Sequence, residues 1–150
     1  MWVGSDVCNN CANPNKFDFA NSTTFKQLTP YISNLSYGMG SVWGFDTTDQ
    51  VCLNEDSVIG NGCMADYLFK TVVEQKDLSG LAGAGLIGLS PSNQYSGAQL
   101  FVPSLYEQGA IKKNMFSMFI DQTDVSMMQI GGYNLDKYAK GPLNWVDLTS

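Results

Sequence analysis

Apolar positions along the chain come in short runs broken by glycine- and asparagine-rich material, with little of the long 3.6-residue periodicity of helical proteins. Trp2-Val3 reads as the end of a strand, and residues 4–24, rich in Asn, Ser, Asp and Gly, read as loop. Leu35-Ser36-Tyr37 and Ser41 to Phe45 flank Gly38-Met39-Gly40, the pattern of a β-hairpin with a glycine-rich tip. Val51-Cys52-Leu53 and Met64 to Val73 read as two further strands, with the turn dipeptide Asn61-Gly62 between them. Gly85-Leu86-Ile87-Gly88-Leu89 has the look of a short, fully buried strand, with Leu86 and Ile87 in the core. Met115 to Ile120, Met127 to Ile130 and Leu143 to Val146 complete the strands, and Trp145 reads as a core aromatic. Only Leu100 to Gln108 reads as helix: Phe101, Val102, Leu105 and Tyr106 fall on one face and Gly109 is placed to end it. The pattern predicts one all-β domain with a single short helix, without repeats or an internal linker.

Composition narrows the function classes. Fourteen acidic residues stand against 8 lysines, with no arginine and no histidine, for a net charge of −6. That balance argues against binding nucleic acid or an anionic membrane surface. Without histidine there is no Ser-His or Cys-His catalytic pair and no imidazole metal ligand. No cofactor and no metal site are expected. No apolar run is long enough for a membrane helix, and Met1-Trp2-Val3-Gly4 does not read as a secretion signal.

The four cysteines, Cys8, Cys11, Cys52 and Cys63, are even in number, which fits disulfides in an oxidising compartment. The sequons Asn21-Ser22-Thr23 and Asn34-Leu35-Ser36 point the same way. A four-thiolate zinc site would want a second close pair, and a redox Cys-x-x-Cys would want a helix where Asn13-Pro14-Asn15 follows; four free thiols are the remaining reading. Proximity in sequence, and the hairpin expected between Cys52 and Cys63, favour local pairing: Cys8 with Cys11 and Cys52 with Cys63.

The order of the motifs carries a resemblance. Trp2-Val3 with Ser5 and Cys8, then Phe17 with Ser22-Thr23-Thr24-Phe25, then Tyr37-Gly38-Met39-Gly40-Ser41 with Gly44, are followed by Asp49-Gln50-Val51 and by Gly85-Leu86-Ile87-Gly88-Leu89. Phe101-Val102 through Leu105, Gln108-Gly109 and Ile111 come next. Phe116-Ser117 with Phe119, Ile130-Gly131-Gly132-Tyr133 and Leu143-Asn144-Trp145-Val146 close the series. In this order and spacing they resemble the N-terminal lobe of pepsin-like aspartic proteases, from Trp2 to Trp145.

The resemblance implies an all-β acid-protease lobe of the double-psi barrel type. It implies peptide hydrolysis by a water held between two carboxylates, one from each lobe, with no metal or cofactor. Residues 35–45 would form a protruding flap hairpin over substrate. Gly38 and Met39 would bond the substrate backbone, and Gly40, Ser41 and Leu86 would belong to the same flap and pocket. Tyr37 would cap the first pocket, its ring hydroxyl latched to the indole N–H of a nearby Trp2.

The partners implied are a peptide or protein substrate and a C-terminal lobe, in a secreted, lysosomal or vacuolar setting. Residues 1–150 would then be a partial N-terminal lobe. The catalytic Asp-Thr-Gly expected just ahead of Trp2 is not among them, and Asp46-Thr47-Thr48 lacks the glycine to replace it. None of the acidic residues is expected to be catalytic; they read as solvated loop and strand-edge positions. Ala84 stands where the family usually has Asp, and Gly83 where an aromatic is usual. Cys8 and Cys11 are closer than the usual pair, and Cys52 and Cys63 have no counterpart in pepsin, which suggests a divergent branch. The alternative function is a non-catalytic relative that holds peptides without cutting them.

Overall fold

The strand Gly62–Lys76 (β6) organises the chain, because it is covered on both faces through Phe69, Lys70, Thr71 and Val72. The computed structural model describes residues 1–91, 99–122 and 126–147. The other strands are β1 (Trp2–Asn9), β2 (Lys26–Gln27), β3 (Ser33–Tyr37), β4 (Gly40–Cys52), β5 (Val58–Ile59), β7 (Gly85–Leu86), β8 (Phe116–Phe119) and β9 (Met127–Ile130). Strands β1 to β7 form one sheet, in the order β2-β4-β6-β1-β7, with β3 added to β4 and β5 to β6. Strands β8 and β9 pair separately as an antiparallel hairpin. The architecture is all-β, and among the described residues the large sheet is open rather than closed into a barrel.

Period-two alternation divides the core between the two faces of β6. Tyr67 and Phe69 turn toward the helix α1 (Phe101–Glu107), where Met64, Phe101, Val102, Leu105 and Ala110 complete one cluster. Val72 turns the other way, to Trp2, Cys8, Val42 and Leu78. Met64 joins the face of Tyr67 despite odd spacing because Asp66 takes a left-handed conformation, φ 46°, and shifts the phase of the strand. Helix α1 falls within the expected Leu100 to Gln108, and Gly109 follows with φ 72°. A short helix α2 (Leu135–Tyr138), with Asn134 accepting from Lys137 N–H, was not expected.

Several sequence expectations fail for identifiable reasons. Residues 4–9 are strand rather than loop: Ser5 is fully buried, and its hydroxyl donates to the Val72 carbonyl at 2.8 Å. A polar residue thereby sits in a central strand without an unpaired group. Val51 and Cys52 are the end of β4, not a separate strand. Leu86 and Ile87 are 37% and 46% exposed, not core, because β7 lies at the sheet edge. Leu143 to Val146 joins no sheet, and Trp145, 75% exposed, borders an open cavity with Phe116 and Val102 rather than lying in a core.

Two outcomes follow from the packing. Burial pushes the Tyr67 phenol up to about 12 from 10.0, so its neutral form is the one the fold holds. Its contribution is complete below the unfolded value near 10 and is lost as pH rises toward the folded value. Tyr67→Phe should cost about 1 kcal/mol near neutral pH, through the bond to the Gln99 carbonyl, yet show a shallower fall of Tm in that alkaline window. A pH series of thermal melts measures both. Met118, Ile120, Met127, Met128, Trp145 and Val146 are exposed together in the C-terminal third, and uncovered apolar surface drives association. Sedimentation velocity on residues 1–150 should show species larger than monomer.

Candidate functional site

The hairpin of β3 and β4 turns at Gly38-Met39, with Tyr37 opposite Gly40, Leu35 opposite Val42 and Asn34 opposite Trp43. It does not stand free of the sheet. Strand β6 runs beside β4 as far as Ser41, which pairs with Lys76, so only the turn extends past it, while β3 flanks β4 on the other edge. The residue at 40 must be small for this reason: a Cβ there would run into the Lys76 carbonyl and the backbone of Asp77. Met39, at the turn, is 79% exposed and Tyr37 is 40% exposed. Gln75, buried beside Val42, donates to the Leu78 carbonyl at 2.7 Å and fixes the bend that backs the turn.

Cross-strand pairing sets which side chains share a face. Tyr37 and Leu35 lie on the face of Val42, and Val42 packs in the cluster of Trp2. The expected latch residues thus belong to one face of the sheet. The latch bond itself is not made: the Trp2 indole N–H is buried and has no hydrogen-bond partner. Leu86 is brought to Trp2, its register partner on β1. The two strands meet closely at Gly85, where a Cβ would strike the Trp2 carbonyl. Trp2 and Leu86 also line an open cavity of about 410 Å³ with Phe17, Val51, Phe69 and Ile87. Gly38, Met39, Gly40 and Ser41 sit at the hairpin turn and do not line that cavity.

Two buried charged residues hold this site in place, one of them an acid read from the sequence as solvated. Lys70, only 6% exposed, donates to Asp46 and to Ser33, each at 2.6 Å. One buried ammonium so ties β6 to both strands at the base of the hairpin. Asp49 is buried, accepting from the Ser22 hydroxyl at 2.7 Å, from the Thr24 hydroxyl and from the Gln50 N–H at 2.7 Å. It pins the loop of residues 22–24 against β4. Both roles depend on partners 25 or more positions away or across the sheet, which no local pattern reveals.

The cysteines form two disulfides. Cys8 and Cys11 bridge a short loop, with Cα atoms 5.7 Å apart. Cys52 and Cys63 stand opposite each other on β4 and β6, with Cα atoms 4.1 Å apart. The second bridge closes the end of the β4–β6 ladder remote from the hairpin.

A family model described as eukaryotic aspartyl protease matches residues 1–150. The chain belongs to that family. Among its relatives are pepsin A of Sus scrofa, 30% identical over 157 residues, and pepsin A of Rhinolophus ferrumequinum, 30% identical over 158 residues. Pepsin A of Suncus murinus is 28% identical over 161 residues. These alignments cover 99–100% of the chain but only 38–39% of each relative, so the chain spans less than two fifths of their length. In this aspartyl protease sequence the hairpin is the element with the clearest candidate role, and Lys70 is its anchor.

Removing Asp46 leaves a buried ammonium with one hydroxyl partner. Asp46→Ala should lower stability by about 3 kcal/mol, whereas Lys70→Met, which removes the charge and keeps the volume, should cost far less. Urea denaturation of the single variants and of D46A/K70M checks this, and the double variant should recover most of the loss.

Proposed function

We propose that residues 1–150 are the flap-bearing part of the N-terminal lobe of an aspartic endopeptidase, with the catalytic carboxylate pair supplied from outside these residues. The observation that carries this reading is the exposed Gly38-Met39 turn on a hairpin whose inner face, with Tyr37 and Leu35, is also the face of Trp2. An extended peptide lying along that face meets backbone groups at the turn and apolar side chains at Tyr37 and Leu86. Such a hairpin excludes water from a scissile bond when it closes. Tyr37 is the capping residue, and the unpartnered indole N–H of Trp2 is the donor its hydroxyl would meet on closure.

Four of the acids are engaged in holding the fold. Asp46 holds Lys70, Asp49 holds two hydroxyls, Asp66 pairs with Lys26 at 2.7 Å, and Asp18 caps the turn at Phe19–Asn21. On this reading the shared-proton carboxylate pair of general acid–base hydrolysis comes from partner segments: an Asp-Thr-Gly ahead of Trp2 and a C-terminal lobe. Proteins and peptides are the substrate class. A secreted, lysosomal or vacuolar location accords with the two disulfides, and no helix among the described residues is long and apolar enough to cross a membrane.

The test is hydrolysis of an unstructured protein at acid pH by this chain and by one extended at both ends. Activity is expected only in the extended chain, abolished by a transition-state-mimicking aspartic protease inhibitor. Inhibitor-sensitive activity in residues 1–150 alone would overturn the assignment of the carboxylates. Peptide binding without cleavage in both would establish the non-catalytic relative instead.

A further inference from the structure

The second sequon, Asn34-Leu35-Ser36, falls on the hairpin, in a position the reaction does not use. Asn34 is the second residue of β3, which pairs with β4 on one side only and is therefore an edge strand. Its side chain is exposed, and its amide donates to the Ser36 hydroxyl at 3.2 Å, the third residue of its own sequon. Ser41, across the hairpin, donates to the same hydroxyl at 3.1 Å. Nothing in these contacts draws Asn34 into the core.

Ladder parity decides where a group attached to Asn34 would project. Leu35 and Tyr37 share the face of Val42 and Trp2, so Asn34 and Ser36 occupy the opposite face. There the residue directly opposite Asn34 is Trp43, which is partly exposed. Opposed side chains on one face of an antiparallel pair start about 5 Å apart at Cβ. A sugar ring joined at the Asn34 amide therefore lies within reach of the indole, and its C–H face offers an apolar surface to the aromatic ring.

The first sequon, at Asn21, presents a different situation. The Asn21 amide donates to Asp18 at 2.6 Å within the tight turn, and the Ser22 hydroxyl is engaged by buried Asp49. A sugar at Asn21 competes with the amide bond to Asp18 that closes this turn, next to the residue that pins the loop on β4; a sugar at Asn34 competes with no bond to another element. Both disulfides belong to an oxidising compartment, where N-linked transfer takes place.

We propose that Asn34 carries an N-linked glycan whose first N-acetylglucosamine packs on Trp43, on the face of the hairpin opposite Tyr37. In the transfer, the Asn34 amide nitrogen bonds to C1 of the sugar and loses a proton. The C1–O bond to a lipid pyrophosphate donor breaks, and lipid pyrophosphate leaves. The glycan covers the outer face of the hairpin and leaves the inner face open, so the inference stands whether or not the parent protein is catalytic.

The test is peptide mapping of the full chain secreted from eukaryotic cells, with the glycan removed by an amidase in heavy-oxygen water. Heavy-oxygen deamidation at position 34 is expected. Asn34→Gln and Ser36→Ala should abolish it, and Ser36→Thr should preserve it. A glycan at position 21 alone, or none at all, overturns the proposal. Should a variant not be secreted, translation into microsomes reads the same sugar addition on the nascent chain, independent of folding. For the packing, protein trimmed to one sugar should melt about 2 °C above Asn34→Gln, and the difference should vanish in a Trp43→Ala background. Equal melting temperatures with Trp43 present would overturn the contact.

Discussion

The burial of β6 on both faces is the constraint from which the rest of the structure follows. A one-residue slip moves every side chain of a strand to its other face, and in β6 it would exchange Phe69 and Val72 between two cores at once. Its long ladder with β4 then fixes the position of every residue from the Cys52–Cys63 bridge to Ser41. The hairpin at the far end inherits that register, and so does the placement of Tyr37 relative to Trp2.

Polar groups inside this arrangement are satisfied through long-range partners. Ser5 reaches Val72, Thr47 donates to the Phe69 carbonyl at 3.1 Å, Lys70 reaches Asp46 and Ser33, and Asp49 gathers Ser22 and Thr24. Each joins two strands, or a strand and a loop, so each adds directional restraint to packing that is otherwise non-directional. Among the described residues the exception is the Trp2 indole, buried without a partner beside the candidate site. Burying an unpaired donor carries a free-energy penalty of about 1–3 kcal/mol. Such a group is suited to a contact made in another state of the hairpin.

Legibility in the sequence tracked the range of the forces involved. The hairpin, the helix and the separate strands β8 and β9 were readable because turn chemistry and periodicity act within a few residues. The cysteine pairing was readable because Cys52 and Cys63 flank a local turn. Strand β1 beyond Val3 was unreadable, since its polar residues become strand-competent only when β6 supplies a buried acceptor for Ser5. The anchors Lys70 and Asp49 were missed for the same reason: charged residues in strands ordinarily signal solvent, and here their partners arrive from elsewhere in the chain. Leu86 and Trp145 erred in the opposite direction, because an apolar run states that burial is favourable without stating what does the burying.

By itself the sequence determined the all-β class, the position of the hairpin and its Gly38-Met39 turn, the pairing of the cysteines and, through the order of its motifs, the family. These rest on backbone preferences and on spacing, which the chain carries locally. Only the tertiary structure decided that β6 would be the doubly covered strand, that Tyr37 and Trp2 would share a face while Asn34 and Trp43 shared the other, and that Lys70 would anchor the hairpin from within. Those outcomes depend on register between strands distant in sequence, and register is set by the simultaneous burial of two cores rather than by any one segment.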